Sequence, residues 1–110
     1  MTEITSLKTY ASVIQSPTPV VVMFSSDACG DCFYADQFMH HIETLFNTYA
    51  FYRVKRETLP TLALDLKIYG VPSFLIYQSG TCLNRYVDKH RKSFEDVLSF
   101  IDQNLTRSVK

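Results

Sequence analysis

The spacing of apolar residues along this chain switches repeatedly between short β-branched runs and stripes at three-to-four-residue intervals, which predicts strands alternating with helices. Thr2 to Thr5 reads as a short edge strand. Ser6 then caps a helix with Leu7, Tyr10, Ala11 and Ile14 on one stripe, ended by Pro17 and Pro19. Val20-Val-Val-Met-Phe24 is almost wholly apolar, the pattern of a parallel strand covered on both faces, and is placed at the centre of the sheet. Ala35, Phe38, Met39, Ile42, Leu45, Phe46 and Tyr49 mark a second helical stripe, Phe51 to Lys55 a further strand, and Leu59, Leu62, Ala63 and Leu66 a short helix with Pro60 in its first turn. Beyond Gly70-Val-Pro72 come the strand Ser73–Tyr77, a tight turn at Ser79-Gly80 and the strand Cys82–Val87, which together read as an antiparallel hairpin. Ser93 to Asp96 resembles a capping box ahead of a helix carrying Val97, Leu98, Ile101 and Leu105, and Thr106 to Lys110 reads as a frayed tail. The order β-α-β-α-β-α-β-β-α predicts an α/β fold, a central mixed β-sheet with helices on both faces, in a single domain over 1–110.

Composition narrows the function. With 46% hydrophobic and 20% charged residues among 110, the chain can enclose its own core. Eleven basic and eleven acidic residues give a formal net charge of +0, so no electropositive face for nucleic acid is expected, and the seven Tyr and eight Phe read as core. Neither a signal sequence nor a membrane-spanning stretch is seen, which predicts a cytoplasmic protein, expected to be a monomer. Three cysteines are too few for a disulfide scaffold, and two of them stand as Cys29-Gly30-Asp31-Cys32.

That pair lies between the central strand and the second helical stripe, and so at a helix N-terminus. Unpaired amides and the positive end of the helix dipole favour a thiolate at Cys29, the species that attacks disulfides. Gly30 keeps the approach open, and Cys32 stands ready to attack the Cys29 sulfur and release a bound partner. A carboxylate at Asp31 opposes the amide field. The same two-residue spacing serves zinc, but a closed zinc site needs about four ligands, and Cys82, His40, His41 and His90 offer no second paired spacing. No metal or cofactor is expected. His40 and His41 read as helix-surface residues, Cys82 as a half-buried structural thiol, and Lys89-His-Arg-Lys92 as a solvated loop.

Over nearly its full length the chain resembles the thioredoxin family. A hydrophobic strand runs into Cys29-Gly-Asp-Cys32, a Val71-Pro72 dipeptide lies forty residues beyond Cys32, and Gly80 follows one strand later. The resemblance implies a thiol-disulfide oxidoreductase acting on disulfide-containing proteins and recycled by an NADPH-dependent flavoprotein reductase or a low-molecular-weight thiol. It also implies a cis Val71–Pro72 bond whose Val71 backbone pairs with an extended substrate, and a position for Lys89–Lys92 near the rim of the site. Ala28 stands at the family's Trp, Met23 at its buried acid, Asp31 at its Pro, Asp88 at its Gly, and Gln37 at the Pro inside the helix, which predicts a straighter helix. Asp88 is expected to narrow the substrate groove. Arg53 matches a strand Lys usually near the buried acid. With Met23 there, water or a base such as Asp36, one turn beyond Cys32, must take the Cys32 proton. Two other functions fit these departures: a docking module with little general activity, and a glutaredoxin-like exchanger of small thiols.

Overall fold

The computed structural model describes residues 1–108. Five strands, β1 (Thr2–Glu3), β2 (Val20–Ser25), β3 (Ala50–Lys55), β4 (Ser73–Gln78) and β5 (Thr81–Tyr86), form one sheet in the order β1-β3-β2-β4-β5. β1, β3 and β2 run parallel, while β4 and β5 are antiparallel additions. The helices are α1 (Leu7–Val13), α2 (Gly30–Leu45), α3 (Pro60–Asp65) and α4 (Phe94–Asp102). β2 is the middle strand, and all six of its residues are buried because both of its faces are covered.

Alternation along β2 divides the core. Val21 and Met23 face α2 and α4, where they meet Ala35, Met39, Ile42 and Ile101. Val22 and Phe24 face the opposite layer, with Tyr10, Val54, Ala63 and Leu75. Cys32 belongs to this second layer although the rest of α2 packs on the first, so the start of α2 bridges the two. α2 runs without interruption for 16 residues, as the absence of an internal proline allows.

Local signals account for the ends of the elements. Ser6 accepts the Thr9 amide at the start of α1, and Ser93 and Asp96 form a reciprocal capping box on α4. Ser79 and Gly80 both hold positive φ, 50° and 84°, in the two-residue turn between β4 and β5. Their amides donate to the Ser16 and Ile14 carbonyls, so the hairpin tip closes the end of α1.

Two expectations fail. On α1, Leu7 and Ala11 are exposed and Tyr10 alone is fully buried, because a seven-residue helix lays only one turn on the sheet. The tail from Thr106 to Ser108 is anchored rather than frayed. Ser108 donates its amide to the Leu45 carbonyl at 2.8 Å, and its hydroxyl bonds Asn47, satisfying groups at the end of α2. Val109 and Lys110 lie outside the described residues.

A buried hydroxyl pair joins α1 to β4: Tyr10 donates to Tyr77 at 2.6 Å, with the rings edge to face. Tyr77→Phe strands the Tyr10 hydroxyl in an apolar layer. A loss of about 1–3 kcal/mol is expected, read as a lower urea midpoint at unchanged m-value.

Candidate active site

β2 ends at Ser25, and the short loop Ser26–Ala28 delivers the chain to Cys29, the N-cap of α2. The loop is braced from the end of β3 and the turn beyond it: Asp27 donates its amide to Glu57 at 2.8 Å and pairs through its carboxylate with Lys55 at 3.1 Å. Cys29 Sγ takes the place of a capping oxygen and accepts the Cys32 amide at 3.0 Å. The helix dipole and an amide N–H thus both face this sulfur. Cys29 is partly exposed, and a Cβ on Gly30 would meet nothing within 4 Å, so the approach is open on that side.

Cys32 differs in every respect. It is 2% exposed, and its thiol is pushed up by burial and by its hydrogen bond to Cys29, an effect the Ser26 backbone opposes and the charges of Cys29 and Asp36 reinforce. One sulfur is therefore accessible and faces an amide N–H at the helix start, and the other is sheltered and held protonated.

Opposite Cys29 lies the segment before β4. The Val71–Pro72 bond is cis, and Cys29 Sγ is 3.6 Å from the Val71 carbonyl oxygen. The buried Ser73 hydroxyl donates to the Gly70 carbonyl and fixes this turn.

Met23, at the position of the family's buried acid, is 1% exposed and carries no proton chemistry. Arg53 stands beside it in register on β3 and reaches across to α2, where it grips Asp36 with both nitrogens, at 2.7 and 3.3 Å, and also touches the Ser25 hydroxyl. Asp36, Arg53, Ser25, Asp27, Cys29 and Cys32 all line one recess of about 90 Å³, room for roughly three waters. A larger cleft of about 410 Å³ between β5 and α4 contains neither cysteine of the motif.

In the loop from Val87 to Lys92, Lys89, His90 and Arg91 are exposed as expected of a solvated loop, and Lys92 is the exception. Lys92 is fully buried. Its ammonium bonds the Asp88 carboxylate at 3.1 Å and the Asp88 and His90 carbonyls at 3.2 and 3.1 Å, leaving none of its three protons unpaired. The Asp88 carboxylate also accepts the His90 amide, so it is committed to its own loop rather than standing free at the groove. Arg91 turns outward and meets Asp31 at 3.0 Å while its guanidinium lies 4.5 Å from the Tyr34 ring centre. The expected place of Lys89–Lys92 near the rim holds for Arg91, but its pairing with Asp31 and Tyr34 is not legible in the sequence, since sixty positions separate Arg91 from Asp31.

Cys82 is exposed, not half-buried, because β5 is an edge strand with little above it. His40 is exposed and His41 stacks on Phe94 at 5.2 Å. Among the described residues no three His, Cys, Asp or Glu side chains are grouped to hold a metal, and no helix is long and apolar enough to cross a membrane.

A mixed sheet with helices on both faces, carrying two close thiols of opposite accessibility at a helix start, defines a thiol-disulfide oxidoreductase. The family model for thioredoxin matches residues 1–103, and the chain belongs to the thioredoxin family. It is 23% identical to thioredoxin H2 of Arabidopsis thaliana over 82% of this chain and 68% of that protein. With thioredoxin H1 of the same plant it shares 25% identity over 77% of this chain and 75% of that one. The structure of Plasmodium falciparum thioredoxin superposes with a TM-score of 0.84 at 18% identity, covering 96% of this chain and 100% of the other.

Proposed function

We propose that this chain acts in the cytoplasm as a monomeric, single-domain reductase of protein disulfides, with Cys29 as attacking thiol and Cys32 as resolving thiol. The observation that carries the assignment is the asymmetry of the pair: Cys29 Sγ faces an amide N–H and an open approach, while Cys32 is 2% exposed. The Cys29 thiolate attacks one sulfur of the partner's disulfide and expels the other as a thiolate. Cys32 then loses its proton and attacks Cys29 Sγ, which releases the partner's second thiolate. The partner gains two electrons, its two thiolates take up protons from solvent, and the chain is left with a Cys29–Cys32 disulfide. The backbone of Val71, beside Cys29, pairs with the extended segment that carries the target disulfide.

Formation of the mixed disulfide removes the negative charge of Cys29 from beside Cys32, and with it two of the influences that keep Cys32 protonated. Asp36, in the recess that both sulfurs line, takes the proton through water. Asp36→Asn is expected to slow resolution of a preformed mixed disulfide about tenfold or more at pH 7. Faster resolution would mean that Asp36 acts only as a charge opposing the Cys32 thiolate.

Insulin reduction tests the proposal. Turnover supported by an NADPH-dependent flavoprotein reductase is the expected result. Activity with glutathione alone would make the chain a small-thiol exchanger, and inactivity with glutathione, dithiothreitol and the reductase would make it a docking module.

A further inference from the structure

The motif carries a carboxylate beside its attacking sulfur. Asp31 occupies the first turn of α2, two residues from Cys29, and its charge opposes the helix-end field that favours a thiolate there. The structure answers this charge from a distant part of the chain. Arg91 Nε lies 3.0 Å from Asp31 Oδ1, and the guanidinium rests 4.5 Å from the centre of Tyr34, one turn further along α2.

The segment that presents Arg91 is held on three sides. Lys92 anchors it from beneath, fully buried, with its ammonium on three acceptors of the loop. Tyr69 donates its hydroxyl to the Val87 carbonyl at 3.0 Å. Gly70 lies so close to the Asp88 carbonyl that a Cβ there would collide with it, so the loop packs directly on the segment leading into Val71–Pro72. A strap thus rests on one wall of the site and reaches across to the helix that carries the other.

We infer that Arg91 is a positioning residue for the dithiol, cancelling the Asp31 carboxylate so that the Cys29 thiolate meets the amides of α2 without an opposing charge. The inference rests on Cys29 being the attacking thiol. The other charged or titratable groups facing Cys29 are Cys32, Asp27, Asp36 and Arg53. Asp36 is paired with Arg53 and Asp27 with Lys55, and a substitution at Arg91 leaves both of those pairs intact while removing the partner of Asp31. Arg91 and Asp31 are 61% and 34% exposed, so their effect on the sulfur must weaken as salt rises.

The test is the rate at which iodoacetamide alkylates the reduced protein at pH 7 and low ionic strength, with the labelled cysteine identified by mass spectrometry. Arg91→Ala is expected to slow labelling of Cys29 about two- to fivefold, and Arg91→Lys to restore most of the rate. In an Asp31→Asn background, Arg91→Ala should change the rate by less than about 1.5-fold, because no carboxylate remains to be cancelled. Raising the salt should shrink the single-variant effect, and thermal midpoints should stay within about 2 °C of the parent, as for other exposed pairs. An unchanged rate in Arg91→Ala, or an equal loss with and without Asp31, would overturn the role of Arg91. Labelling of Cys32 in place of Cys29 would instead overturn the assignment of the attacking thiol.

Discussion

Cys32→Ser protein mixed with a disulfide-bonded substrate will accumulate as a covalent complex through Cys29, and Cys29→Ser protein will accumulate none. The asymmetry of the site requires this. Cys29 keeps its accessible position and its amide contact when Cys32 loses its sulfur, so the first exchange proceeds. The second exchange has no attacking group left within the molecule. Effective molarities for well-oriented intramolecular attack reach about 10⁵ M or more, which millimolar external thiol cannot replace, so the complex should persist about a thousandfold longer than the parent's. Cys82 is the one competing thiol. Its residue is exposed, yet partial burial of the sulfur pushes its thiol up, with Arg85 pulling the other way, and no helix terminus faces it. Non-reducing electrophoresis followed by peptide mapping decides the matter. Partners captured on Cys32 of the Cys29→Ser variant would reverse the two roles.

What the chain disclosed in advance depended on how far apart the interacting residues stand. β2 and β4 declare themselves by runs of apolar residues, and the Ser79-Gly80 turn and the Ser93–Asp96 capping box are each spelled out within four positions. The dicysteine is of the same kind, since its chemistry follows from a helix start and a spacing of three. Asp36 and Arg53 were each noticeable, Asp36 by its place one turn beyond Cys32 and Arg53 by its strand position, but not as partners. Only the register that sets Arg53 beside Met23 aims it at α2. The resemblance places the run Lys89–Lys92 near the rim of the site, but the sequence does not tell that Lys92 turns inward while Arg91 reaches Asp31. A run of Lys, His and Arg carries no period, and the ordinary fate of such charges is solvent. Burial of Lys92 depends on two carbonyls and a carboxylate that the loop gathers by its own folding. The edge position of β5, which exposes Cys82, likewise follows from strand order and not from any pattern within β5.

The second large effect is expected at Lys92, where Lys92→Met keeps the apolar stem but removes the charge and three donors. In the native loop the ammonium is fully enclosed and every one of its protons is used, while the Asp88 side chain it pairs with remains 35% exposed. Breaking a wholly buried pair costs about 3–5 kcal/mol, and the partial hydration of Asp88 lowers the expected loss here to about 2–3 kcal/mol at pH 7. For a chain of this size that is a fall in Tm of roughly 10–15 °C. The loss should also depend on pH in a definite direction. Burial by itself would raise the Asp88 carboxyl, but the hydrogen bonds from Lys92 and the His90 amide, with the charges of both residues, outweigh it and hold the carboxyl below the usual carboxylate value. A group depressed on folding contributes stability that is fully present above its unfolded value, near about pH 4, and is lost as pH falls through the folded value. The parent should therefore lose stability faster than the variant on acidification, and the gap between their unfolding free energies should narrow below about pH 4. Chemical denaturation of both proteins between pH 7 and pH 3 measures that gap. A gap that stays constant over this range would show that Lys92 supports the loop through the Asp88 and His90 carbonyls alone, with no contribution from the Asp88 charge.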